Sequence, residues 1–138
     1  MNTSENQFVK TIFPKGDLAS ADYFTGKVWV RMLVLSDPVL NTAVGNVVFE
    51  AGARNNWHTH PGGQILIVTQ GKGFYQEEGK SIQLLQEGDV VNIQPGIKHW
   101  HGASPDVEFT HIAISTNIEK GIVDWLEPVT DEQYNSFK

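Results

Sequence analysis

The chain has 138 residues, 40% of them hydrophobic and 19% charged, a balance that fits a soluble folded domain and excludes a disordered one. A formal net charge of -6, with only 10 Lys and Arg, argues against a nucleic-acid partner, because neutralising phosphates needs a basic surface. With no cysteine there are neither disulfides nor thiolate chemistry, so any metal must be held by imidazole and oxygen.

Residues 1–10 are polar and read as a loose arm or an edge strand. They carry no apolar signal core, and no apolar run approaches the ~20 residues of a membrane span, so a cytoplasmic protein away from membranes is expected. Residues 11–26, with Pro14, Gly16, Gly26 and the rings of Tyr23 and Phe24, read as an irregular segment. From Lys27 the pattern turns to strand: KVWVRMLVL is rich in branched and aromatic residues, with Val28, Val30, Met32 and Val34 on one face until Asp37-Pro38 breaks it. Further strands are predicted at 41–50, 57–60, 64–70, 73–78, 81–86, 89–93, 99–102 and 107–115, and Gly45 suggests a bulge or a close approach. No helix-period run precedes residue 118. Thr130 followed three residues on by Gln133 is a capping box that starts a short C-terminal helix. Short strands punctuated by Gly and Pro indicate an all-β sandwich or barrel, one domain over 1–138 with its core at about 27–117.

The histidines are where this chain carries chemistry. His58 and His60 alternate with one residue between them, so on a strand they share a face, and the Pro61-Gly62-Gly63 turn can bring Gln64 beside them. His99 and His101 repeat the device after Pro95-Gly96, and His111 lies in the strand-like run FTHIAIS.

These two stretches resemble the paired motifs of the cupin superfamily. Gly52, His58, His60, Gln64 and Gly71 are similar to the first motif, with Gln64 where Glu is usual. Gly88 to His99 is similar to the second, with Gln94 where proline is usual and Ala103 where Asn is. The runs ADYFTG, WHTHPGGQ, GDVVNIQPGIKHWHGASP, THIAI and VDWLEPVTDEQY further resemble small single-domain cupins, among them manganese-dependent hydroxynitrile lyases and carboxymuconolactone decarboxylase-like relatives, in which Gln64 is part of the pattern. The resemblance implies a jelly-roll barrel in which His58, His60, Gln64 and His99 hold one metal ion. By donor chemistry the ion could be Mn, Fe, Ni, Zn or Cu; the resemblance implies manganese. Four neutral ligands would leave a divalent ion its full charge, favouring an anionic outside ligand. The alternative is a barrel whose histidines bond only one another.

His101 lies near the metal but outside the ligand spacing, which makes it the candidate general base. His111 is a second base, an orienter of His101, or a core residue. Pocket candidates are Gly45, Val47, Phe49, Leu66 and Ser115, the last standing where such a lyase carries Gln; Val68 and Ile93 are further candidates, with core packing favoured for Ile93. Trp57 and Trp100 should alternate to the outer face or to a subunit contact. The function expected is metal-dependent lyase chemistry on a small molecule, cyanohydrin cleavage or decarboxylation. The alternatives are a dioxygenase, an isomerase, or a non-catalytic cupin that binds a metal or small ligand. A homodimer is expected, because exposed strand edges call for a partner.

Overall fold

The computed structural model describes residues 12–137, so the arm read at 1–10 lies outside the described residues. The strands are β1 (Asp17–Leu18), β2 (Phe24–Thr25), β3 (Val28–Asp37), β4 (Thr42–Phe49), β5 (Arg54–Asn55), β6 (His58–Thr59), β7 (Gln64–Glu77), β8 (Gln83–Gln86), β9 (Val90–Ile93), β10 (His99–Ala103), β11 (Phe109–Thr116) and β12 (Asp124–Trp125). A 3-10 turn at Ile118–Lys120 and the short helix α1 (Asp131–Tyr134) complete the chain. The capping box at α1 is present as read, with the Thr130 hydroxyl accepting from the Gln133 amide and the Gln133 side chain accepting from the Thr130 amide.

Every pairing is antiparallel, in the order β1-β3-β4-β11-β7-β10-β5-β2; β8 and β9 join β7, β6 joins β10, and β12 joins β6. The fold is therefore the expected all-β architecture, a sheet curled into a half-barrel with a short C-terminal helix. The curl depends on β7. The two separate strands read at 64–70 and 73–78 are one 14-residue strand that pairs with β11 and β9 in its first half and with β8 and β10 in its second. Glycines let it turn the corner: Gly71 has φ 80, and a Cβ on Gly73 would lie 2.5 Å from the Phe109 ring.

The period-two pattern then decides what faces inward. Val47 lies between Val30 and His111, His111 beside Val68, and Ser115 opposite Gln64, so these side chains share the concave face. Val28, Phe49, Leu66, Val68, Tyr75, Leu85, Val91, Ile93 and Phe109 fill the core beneath. A second cluster on the other side of β10 joins Trp57, Phe74, Trp100, Val129 and Tyr134. Trp57 and Trp100 do face away from the barrel interior, but α1 and its approach cover them, so they are not available as a subunit contact.

Two local expectations are corrected. The stripe from Val28 to Val34 does not keep one face throughout: the register against β4 shifts after Met32, so that Met32 lies opposite Gly45 and Val34 opposite its neighbour Val44. The segment at 11–26 is not wholly irregular, because β1 pairs with β3 and β2 with β5. Of the two readings of Gly45, the close approach holds: it pairs in register with Met32 and Ala113, and a Cβ there would lie 3.3 Å from the Met32 sulfur, while the bulge lies on β3 opposite.

Candidate metal centre

β6 and β10 run side by side with His58 directly opposite His99, so the first histidine of each H-x-H pair meets across a strand boundary. Alternation brings His60 to the same side. Candidate ligand atoms of His58, His60 and His99 all lie within 4.8 Å of one another, and all three residues are buried. Each ring is held from behind. The Nδ1–H groups donate to backbone carbonyls: His58 to Asn56 at 2.7 Å, His60 to Ile122 at 2.8 Å and His99 to Ile97 at 2.8 Å. Those bonds put the proton on Nδ1 and leave Nε2 as a lone-pair donor, the form a metal requires. Nε2 of His60 and of His99 is buried without a hydrogen-bond partner.

Gln64 completes the set from the start of β7. Its Nε2 donates to Ser115 Oγ at 3.2 Å, which leaves Oε1 buried and unpartnered. A buried unpaired acceptor beside unpaired imidazole nitrogens is costly unless something electropositive satisfies them. The residues thus fit a divalent cation with nitrogen and oxygen donors. They are also in the right charge state. Burial lowers His58 well below its ordinary range, with repulsion from His99 and His60 adding to it. Burial likewise lowers His60, and it brings His99 to about 4.

His101, the other member of its pair, shares the stack with His99 at 5.7 Å between ring centroids but turns toward β11. His111 Nε2 lies 3.1 Å from His101 Nδ1, so one ring donates to the other. Asn55 grips the same residue: its Oδ1 accepts from the His101 amide at 2.9 Å and its Nδ2 lies 3.2 to 3.3 Å from the ring nitrogens. Burial drives His101 well below its ordinary range, helped by His111, and takes His111 to about 3. Both rings are neutral at pH 7.

In front of this polar floor lies a cavity of about 280 Å³ with apolar walls of Phe24, Val30, Val47, Phe49, Ala113, Ile122, Val123 and Trp125. Asn55, His58, His60, Gln64, His101 and His111 open onto it. Of the pocket candidates, Val47 and Phe49 line this space, while Leu66 and Ile93 lie in the packed core. Gly45 lies across from Ala113, and Ser115 serves Gln64. Sequence reasoning missed Asn55, Trp125 and the carbonyls of Asn56, Ile97 and Ile122. Carbonyl acceptors leave no trace in residue type, but Asn55 beside the WHTH run and the VDWLEP stretch were visible signals.

The cupin domain family matches residues 45–114. An (R)-mandelonitrile lyase of Granulicella tundricola is 52% identical over 115 residues, 83% of this chain and 87% of that protein. A solved cupin-like protein of Thermotoga maritima is 58% identical with a TM-score of 0.89, covering 91% of this chain and 95% of the other. An acireductone dioxygenase of Marinobacter nauticus is 29% identical over 57% of this chain and 42% of its own length.

Proposed function

The chain belongs to the cupin family, and from that premise we propose that it is a metal-dependent lyase that breaks or forms the carbon–carbon bond of a small 2-hydroxynitrile. One observation carries the reading: three buried imidazoles, each bonded through Nδ1 to a backbone carbonyl, converge beside the unpartnered Oε1 of Gln64. The 52% identity with a mandelonitrile lyase supports the reaction class. In this reading His58, His60, His99 and Gln64 hold a divalent ion, manganese ahead of iron, nickel, zinc or copper; when bound it supplies a Lewis acid that stabilises negative charge on a substrate oxygen.

The protein's own side chains do the rest. His101, neutral and facing the cavity, takes the proton of the substrate hydroxyl. The freed electron pair forms the carbonyl double bond as the carbon–cyanide bond breaks, and cyanide leaves with the pair of that bond. His101 then returns its proton to cyanide, so the products are an aldehyde or ketone and hydrogen cyanide. His111 holds the ring of His101 by the 3.1 Å bond, which keeps it within reach of the substrate. Val47, Phe49 and Trp125 accept the organic substituent and exclude water. A cupin that only binds would have no use for the buried His101–His111 pair, which ligation does not need.

The test is to purify the chain, measure bound metal, and follow mandelonitrile cleavage after loading with each of the five metals. Turnover is expected with one of them, and His101→Ala is expected to keep the metal and lose at least about 100-fold in rate. Unchanged rates in His101→Ala would remove the base assignment. No cleavage with any metal would remove the reaction.

A further inference from the structure

We propose that residues 122–134, which lie beyond the matched domain, form the outer half of the metal centre, and that Arg54 is the residue that positions them. The inference rests on the metal reading above and extends it to a segment no ligand comes from. Its inner end touches the site directly. The Ile122 carbonyl accepts from His60 Nδ1, the Trp125 ring packs on His58 with centroids 4.9 Å apart, and both residues wall the cavity.

From there the segment runs antiparallel along residues 57–59 as a backbone ladder, which the side chains of Asn56 and Arg54 extend. Asp124 pairs with Thr59 and Trp125 with His58. The Leu126 amide donates to the Trp57 carbonyl at 2.8 Å, the Trp57 amide to the Glu127 carbonyl at 2.9 Å, and Asn56 Nδ2 to the Leu126 carbonyl at 3.2 Å. Pro128 has no amide hydrogen and so cannot continue it. At that point Arg54 replaces the backbone: Nε and Nη2 donate to the Val129 carbonyl at 3.2 and 2.8 Å, and Nη2 also reaches Asp131 Oδ1 at 2.8 Å. The guanidinium lies 4.7 Å over the Tyr134 ring, whose hydroxyl donates to the Ala103 carbonyl at 2.6 Å.

Arg54 is only 6% exposed. A guanidinium is costly to bury, and every partner given to it by hydrogen bonding here belongs to this segment. Asparagine or serine could accept or donate singly at such a place; the planar fork instead clamps a carbonyl and a carboxylate together. Its effect reaches the metal ligands because the clamp and the Ile122 carbonyl are opposite ends of one hydrogen-bonded strip.

Coupling of this kind is reciprocal: a segment that steadies His60 is itself steadied when His60 is held by a cation. The experiment therefore needs no substrate. Hydrogen–deuterium exchange of the full chain, stripped of metal and then given Mn²⁺ alone, is expected to slow at least several-fold across residues 122–130. Arg54→Met should weaken Mn²⁺ binding by about 10- to 100-fold in calorimetry and abolish the protection, with partial rescue in Arg54→Lys. Tyr134→Phe, isosteric and so safe for folding, should give the same two changes at smaller size. Exchange across 122–130 that ignores Mn²⁺ in a chain calorimetry shows to bind it, or full affinity in both variants, would overturn the proposal. A wild-type chain that binds none of the five metals would overturn the metal reading, and this inference with it.

Discussion

With any bound metal chelated, lowering the pH from 7.5 to 5.5 should destabilise this protein sharply, and the structure sets the size of the effect. His99 and His111 are brought by burial to about 4 and about 3, so both stay neutral in the folded chain at pH 5.5. In the unfolded chain each titrates near 6.5 and binds a proton over that interval. The unfolded state thus holds more protons, and stability falls with pH from about 6.5 down to the folded values. At one unit below 6.5 the loss is about 1.4 kcal/mol for each histidine, or about 3 kcal/mol for the pair. His58 and His101, also held well below their ordinary range by burial, act in the same direction. Carboxylates do not mask it: Glu77 and Glu127 are lowered and act only at more acid pH, and Glu108, raised by burial, acts weakly in the opposite sense. Urea unfolding of the chelator-treated chain at the two pH values measures the loss. At a slope of about 2 kcal/mol per molar urea the midpoint should drop by at least about 1.5 M. Equal midpoints would mean that the histidines are hydrated or already charged in the fold, and the neutral ligand set would fail with that reasoning.

Other outcomes follow from single contacts. Ser115→Ala removes the donor–acceptor bond that aims the Gln64 amide; metal affinity by calorimetry should fall about 10-fold, while stability changes by only about 1 kcal/mol. Phe49→Ala empties a fully buried position between the core and the cavity and should cost about 3 to 5 kcal/mol in urea unfolding. Light scattering is expected to give a dimer of the 15.4 kDa chain, with the exposed apolar run of Met32, Val34, Leu35, Val39 and Leu40 at the contact, so that Leu35→Glu elutes as monomer. A wild-type monomer would rule that contact out.

What residue order determined by itself was periodic or local. Alternation at His58 and His60, and again at His99 and His101, decided that each pair shares a face, because a strand offers only two. Thr130 and Gln133 determined the helix start through contacts three residues apart. The barrel was legible from branched residues between glycines and prolines, and the candidate ligand set came from the resemblance to known motifs. What tertiary structure alone decided was everything that depends on residues far apart in the chain. Whether Gly71 ends a strand or bends one is settled by the close approach of Glu108. Which nitrogen of His60 faces the centre is set by a carbonyl 62 residues away, and the fork of Arg54 closes on Val129 across 75. Leu66 and Val47 are equally apolar and both face inward, yet only packing depth separates a core residue from a cavity wall. Local periodicity is written into every dipeptide, whereas depth and partner choice exist only once distant strands have closed around each other.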